Sequence, residues 1–261
     1  MGGSRELDTL LRGFRAVGLR ELESRAALLK RVDVKYVVGW DTFAALCERL
    51  RTEHEVLELD GRRVFNYETV YFDTPDLRCY REHAEGQVPR FKARTRLYSD
   101  SDRCVFEVKV KVTGDETDKR QIEHAAESRA TVTEHAAAFL ADTLRERGIE
   151  PPTALEASLR TRFRRCTPAA AAGADRVTCD FDLELARDGA TGTPHPASVV
   201  LETKSETGHI AADSALADLG AEPVSFSKYR AGIELLTDLP ERAAQTGPGT
   251  APAAAGPAGR R

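Results

Sequence analysis

The sequence predicts an α+β fold, an antiparallel β-barrel tunnel with a charged lumen, padded outside by helices. At least five segments alternate apolar and charged residues with the two-residue period of a strand whose faces meet different surroundings. The charged faces are enriched in Arg and Lys, and acids are confined to Glu68, Glu107, Asp180, Asp182 and Glu202, unlike the Thr, Ser and Gln mixture of an ordinary wet sheet. Helix-patterned segments lie between the strands. They can cover the apolar side while the charged side closes around an interior.

The most regular instance is Arg90–Lys111. Arg90, Lys92, Arg94 and Arg96 alternate with Phe91, Ala93, Thr95 and Leu97. After a polar turn at Ser99–Arg103, Glu107, Lys109 and Lys111 alternate with Phe106, Val108 and Val110. This is the pattern of a hairpin with one apolar and one cationic face. Like charges in register repel unless an anion lies against them.

The remaining elements follow in order. Leu7, Leu10, Leu11, Phe14 and Val17 recur at helical spacing, and Gly18 separates them from Leu19, Leu22 and Leu28. Residues 1–30 therefore read as a helical brace. Arg31–Val38 is the first strand, with Val32, Val34, Tyr36 and Val38 opposite Arg31, Asp33 and Lys35. Asp41 is positioned to cap a helix running through Arg51, with Phe43, Leu46, Cys47 and Leu50 on its buried stripe. Val64–Asp73 is β-branched and aromatic, a strand that Thr74-Pro75-Asp76 ends before a short helical turn through Tyr80. Gly114–Asp118 is a polar loop, and Thr133–Arg147 a helix stopped by Gly148. Ser158–Arg165 is a strand with Arg160, Arg162 and Arg164 on one face; Pro168–Ala174 is a flexible loop. Arg176–Leu185 places Val177, Cys179, Phe181, Leu183 and Leu185 opposite Arg176, Thr178, Asp180, Asp182 and Glu184. Ser198–Ser205 carries Glu202 and Lys204 on one face. Ala211–Leu219 and Ser225–Leu236 read as helices. The tunnel domain spans 31–237, and 238–261 is an Ala/Pro/Gly-rich disordered tail.

Composition narrows the function. A net charge of −4 argues against a general nucleic-acid binder, so the cationic face is a local feature. No apolar run approaches about 20 residues, the length of a membrane span. The N-terminus lacks a signal-peptide core. Five cysteines without a C-x-x-C pair read as reduced thiols of a cytoplasmic protein. The histidines form no metal cluster, and His83, His124 and His209 read as surface residues.

Seven motifs taken in order resemble one family. They are V-D-V-K-Y at 32–36, E-T-V-Y-F-D-T at 68–74, F-K-A-R-T-R-L-Y at 91–98, F-E-V-K-V-K at 106–111, R-V-T-C-D-F-D-L at 176–183, L-E-T-K at 201–204 and F-S-K-Y at 226–229. Together they resemble the VTC (vacuolar transporter chaperone) catalytic domain, the polyphosphate polymerase branch of the CYTH, or triphosphate tunnel metalloenzyme, superfamily. The resemblance implies a triphosphate tunnel fold and transfer of the ATP γ-phosphate to a growing polyphosphate chain, assisted by Mn2+ or Mg2+. Matched motif by motif, it implies that Lys35, Arg94, Arg96, Lys109, Arg162, Arg176 and Lys228 are catalytic. Arg90, Lys92, Lys111, Arg164, Lys204 and Ser227 would bind substrate. Glu202 would be the principal metal ligand, helped by Glu107 and by Asp180 or Asp182. Lys119 and Arg120 suit the tunnel mouth and a solvated loop equally. One departure stands out: where the wider superfamily carries E-x-E-x-K on its first strand, this chain has Arg31 and Asp33 before Lys35.

The expected partners are ATP and polyphosphate, with no nucleic acid and no transmembrane segment. Recruitment by a membrane partner would be sought on the helices of residues 5–29. Two other readings stay open. One is a tunnel triphosphatase hydrolysing inorganic triphosphate or a nucleoside triphosphate; the other is a non-catalytic polyphosphate-binding module.

Overall fold

A computed structural model describes residues 4–25, 32–113, 117–206 and 208–237. Arg31, residues 26–30 of the brace, most of the 114–118 loop and the 238–261 tail lie outside the described residues.

The brace is α1 (Ser4–Arg12), β1 (Arg15–Val17) and α2 (Leu19–Arg25). The body begins with β2 (Val32–Gly39), α3 (Trp40–Leu50), β3 (His54–Leu57), β4 (Phe65–Asp73) and α4 (Arg78–Ala84). The hairpin β5 (Arg90–Tyr98) and β6 (Arg103–Lys111) continues into β7 (Thr117–His124) and α5 (Glu134–Arg145). Then come β8 (Glu156–Cys166), β9 (Pro168–Ala170), β10 (Arg176–Arg187), β11 (Ala190–Gly192), β12 (Ser198–Ser205), α6 (Ala211–Asp218) and α7 (Lys228–Leu236).

Eight strands form one antiparallel ladder in the order β2-β12-β10-β8-β4-β5-β6-β7. The short β1, β3 and β9 extend the sheet beside β10. Among the described residues no backbone bridge joins β2 to β7. The sheet nevertheless curls until its distant strands share partners: Lys35 of β2 donates to the Phe226 carbonyl at 2.9 Å, and Lys92 of β5 to Ser227 Oγ at 3.3 Å. This is the expected tunnel, curved but not closed by hydrogen bonds.

Apolar residues fill the convex side. Tyr36, Val38, Val177, Cys179, Phe181, Val199 and Leu201 pack with Leu7 and Leu11 of α1, Phe43 and Leu46 of α3 and Leu216 of α6. Phe72, Phe91, Phe106, Val108 and Val110 pack with Leu140 and Leu144 of α5. That helix starts on Thr133, whose hydroxyl accepts from the Ala136 amide.

The second core continues around one end of the sheet to its concave side, where α7 lies. Tyr229 stacks on Tyr71 with ring centres 5.1 Å apart and donates its hydroxyl to Asp73. Asp73 is fully buried and also accepts from the amides of Thr74, Cys79 and Tyr80, so one carboxylate fastens α7 to the start of α4. Gly232 admits the close approach, since a Cβ there would lie 2.4 Å from Leu159 Cδ2.

Some elements differ from the sequence reading. β3 and β11 had no anticipated counterpart. The segment at 168–174 contains β9 rather than only a loop. β7 has few β-branched residues, yet it pairs along its whole length with β6. The residue capping α3 is Gly39, and Asp41 lies inside the helix's first turn. In β10 the alternation breaks. Between Phe181 and Glu184 the register shifts by a bulge, with Asp182 at φ 51°. Phe181 belongs to the convex core, whereas Leu183 and Leu185 join the concave cluster under α7.

Candidate functional site

The ladder's register decides which side chains share the concave face. On β2, β12 and β10, Lys35 faces Glu202, and Lys204 faces both Asp33 and Arg176. On β5, β6 and β7, Arg90 faces Lys111, Lys92 faces Lys109, Arg94 faces Glu107, and Lys109 and Glu107 in turn face Lys119 and Gln121. These two groups converge across the interior: the ammonium of Lys109 feels Asp33 and Glu202 from the far side, as well as Arg94 and Lys35.

Three carboxylates organise the cations. Glu202 accepts from Lys204 at 2.7 Å. Burial opposes its ionisation, but Lys204, Lys35 and Arg165 outweigh that and hold it well below the usual carboxylate range. Burial pushes the Lys204 ammonium down to about 8 against the support of Glu202. Glu107, 1% exposed, is gripped by Arg94 at 2.6 Å and Lys119 at 2.6 Å, with Arg96 at 3.9 Å. It too is held well below its ordinary value despite burial. Asp180, 3% exposed, accepts from Nε and Nη2 of Arg165 at 2.5 and 2.8 Å and also pairs with Lys228, whose ammonium lies over the Phe163 ring. Burial raises its pKa, but these two cations bring it down to about 2.

Cations outnumber carboxylates on this face. The imbalance is sharpest at Lys92, where burial and then Lys35, Lys109, Arg90 and Arg94 push the pKa far below that of a free lysine. A wall that loads a lysine in this way offers a strong field to an anion. Tyr71 contributes as well. Its hydroxyl lies 3.4 Å from Arg94 Nη1 and, despite burial, is made more acidic by Arg94, Lys228 and Arg96.

Of the residues singled out from sequence, Lys35, Arg90, Lys92, Arg94, Arg96, Glu107, Lys109, Lys111, Arg176, Asp180, Glu202 and Lys204 share the concave face, and Ser227 and Lys228 reach it from α7. Arg162, Arg164 and Asp182 do not. Arg162 faces Glu68 on the convex side, where Glu68 is held by Arg162 and Arg129, both at 2.8 Å. Arg164 pairs with Asp182, also facing outward, at 2.6 Å. The cause is the phase of β8: its concave positions are Leu159, Thr161, Phe163 and Arg165, so its one tunnel cation is Arg165. The alternation in sequence pointed to Arg162 and Arg164, and the register places the neighbouring Arg165 inside instead. Lys119 was equally balanced between mouth and loop; pairing of β7 with β6 turns it inward, and turns Arg120 outward to Asp118 and Glu146.

No three acidic, histidine or cysteine side chains among the described residues are grouped as a metal cage. Each inner carboxylate already has cationic partners. The donor set fits a divalent ion that brings phosphate oxygens as most of its ligands, with Glu202 or Glu107 adding one or two.

A tunnel of this composition invites comparison with known families. The VTC domain matches residues 30–237. The chain belongs to the VTC-domain family. No curated protein matches its sequence significantly. Among solved structures, a candidate adenylyl cyclase from Hippeastrum, described as having a dominant triphosphatase activity, is 15% identical at a TM-score of 0.49, over 78% of this chain and 94% of that one. A protein of Pyrococcus horikoshii is 14% identical at 0.45, over 78% and 98%. An RNA triphosphatase of S. pombe is 12% identical at 0.27, over 74% and 68%. No described helix of this VTC-domain protein is long and apolar enough to cross a membrane.

Proposed function

We propose that this VTC-domain protein is a polyphosphate polymerase that transfers the γ-phosphoryl group of ATP to a polyphosphate chain. The observation that carries the reading is the concave wall on which Lys35, Lys92, Arg94, Lys109 and Arg165 converge with an excess of positive charge. Guanidinium and ammonium groups aligned along successive strands suit consecutive phosphates of an extended chain.

The chemistry needs no protein nucleophile. A terminal oxygen of the chain attacks the γ-phosphorus while the bond to the β,γ-bridging oxygen breaks and ADP leaves. The attacking oxygen is already anionic, so no base is required. Transfer to water would benefit from one, yet Glu107, Asp180 and Glu202 are all made weaker bases by their cations. That favours transfer over hydrolysis. Arg94, Arg96 and Lys109 neutralise charge on the transferring group, and Arg165 and Lys228 hold neighbouring phosphates in line. A divalent ion, Mn2+ or Mg2+, would supply further charge neutralisation, with Glu202 as its main protein ligand. A cytoplasmic location would supply ATP and keep the buried thiols reduced.

The test is product analysis of the full chain with ATP and Mn2+ or Mg2+. Acid-labile polymer accompanied by ADP is expected. Orthophosphate as the sole new phosphate product would make it a triphosphatase, and tight binding without turnover under either metal would make it a binding module.

A further inference from the structure

His83 sits in the last turn of α4, a helix that packs against β5 and α7. Its Nδ1 atom is buried and has no hydrogen-bond partner. The charged groups facing it are cations from three elements: Lys92 and Arg90 of β5, Arg230 of α7 and Lys35 of β2. Of the nearby carboxylates, Glu82 accepts from Arg78 at 2.7 Å through one oxygen and also acts on Arg90, Glu234 of α7 pairs with Arg230 at 2.7 Å, and Glu85 accepts from Gln87 at 2.6 Å. Two of the four cations, Lys35 and Lys92, are the side chains that reach the Phe226–Ser227 turn at the start of α7. A partnerless ring nitrogen buried among cations is costly to maintain. An anion between these groups removes that cost by placing negative charge beside the ring and giving the imidazole a reason to protonate.

We propose that His83 completes a further phosphate subsite with Arg90, Lys92, Lys35 and Arg230 where α4 and α7 meet the tunnel, binding one phosphate of the chain. The proposal rests on the phosphate-chain reading of the tunnel given above. In the free protein, burial and then the surrounding cations push the imidazole pKa down to about 3, so His83 is neutral near pH 6. A bound phosphate reverses the sign of the local field, and the ring takes up a proton and donates it in a charge-assisted hydrogen bond. Binding is thereby coupled to proton uptake on the acid side of neutrality.

The experiment follows the histidine Cε1–Hε1 resonances of the full chain while inorganic triphosphate is added without metal between pH 5 and 7.5. The His83 signal is assigned as the one missing from both His83→Gln and His83→Asn. The free protein is expected to show no titration of this signal across the range, and bound triphosphate to bring its midpoint into the range, at about 6 or above. Calorimetry in two buffers of different ionisation enthalpy is expected to show proton uptake at pH 6 that disappears in His83→Gln, together with a roughly tenfold loss of affinity. If triphosphate binds the wild-type chain while the His83 signal and the proton balance stay unchanged, the subsite is overturned and the tunnel reading stands. If triphosphate does not bind the wild-type chain at all, the tunnel reading falls and the subsite falls with it.

Discussion

Arg94 donates its Nε–H to Glu107 Oε2 at 2.6 Å, straight across the β5–β6 ladder, and Glu107 is 1% exposed. The pair spends the only carboxylate of that hairpin's inner face on its own cations. It holds Arg94, Arg96 and Lys119 together when no substrate is present.

Removing that carboxylate should therefore destabilise the fold as well as the site. Glu107→Ala is expected to cost about 3 kcal/mol in urea unfolding, the low end for a broken buried pair because its cations can hydrate in the tunnel. The pH dependence has a definite sign. The folded-state pKa lies well below the unfolded one, so the stabilisation is complete above the unfolded carboxylate value and is lost as pH falls below it. A variant as stable as wild type at pH 7 would contradict this role.

The two adjacent faces of β8 can be tested against each other. Arg165→Gln removes the bidentate partner of Asp180 from inside the tunnel and should weaken triphosphate binding at least about tenfold in calorimetry. Arg162→Gln, on the convex face, should change it by less than about twofold. Equal effects of the two substitutions would mean that the register assigned to β8 is wrong.

Glu202→Gln separates metal from phosphate binding. Taking a negative charge out of a cationic wall should leave metal-free triphosphate binding as tight as in wild type, or tighter. Turnover with Mn2+ or Mg2+ should fall by roughly a hundredfold or more. Unchanged turnover would remove Glu202 from the metal's coordination.

Acid should act on Asp180 in the same sense as on Glu107. Its carboxyl titrates at about 2 when folded, so its contribution, on the order of 2 kcal/mol, is present above pH 4 and lost between pH 4 and 2. Wild type and Asp180→Asn should therefore converge in stability as pH falls through that interval. Parallel stability curves would show that Arg165 and Lys228 do not perturb it.

The seating of α7 is probed without touching any charge. In Gly232→Ala the new methyl group meets the buried Leu159 side chain, a clash expected to cost about 1–3 kcal/mol and to lower the melting temperature. Leu159→Ala in the same chain should recover part of the loss, because the two side chains compete for one space. Additive losses would contradict the close packing described here.

Legibility from sequence followed the strictness of alternation. Residues 90–111 read correctly because every second position is charged and the others are apolar, which leaves one register. Glu202 and Lys204 read as sharing one face for the same reason, and the register keeps them on one face. β8 misled, because Arg160, Arg162 and Arg164 imitate a lumen stripe while facing outward. Its true inner face is mostly apolar to accommodate α7, a tertiary demand that strand periodicity does not record. β7 was missed because Asp118, Lys119, Arg120 and Gln121 lack strand propensity and are held in place by β6. His83 read as a surface residue, yet its Nδ1 is buried; only folding gathers Lys35, Lys92 and Arg230 near it.

The bulge at Asp182 gives β10 a property that no substitution experiment would expose. Upstream of it odd-numbered residues point to α3; downstream they point to α7. Asp182 adopts a left-handed conformation that asparagine or glycine would also accept, so the residue is replaceable. It is the extra residue in the count: β10 takes three steps from Phe181 to Glu184 where β8 takes two from Arg164 to Arg162. Deleting it would leave a regular strand with Leu183 and Leu185 still under α7, whereas adding one more residue beside it would turn those leucines out to solvent and Glu184 in among the hydrophobic side chains that seat the last helix.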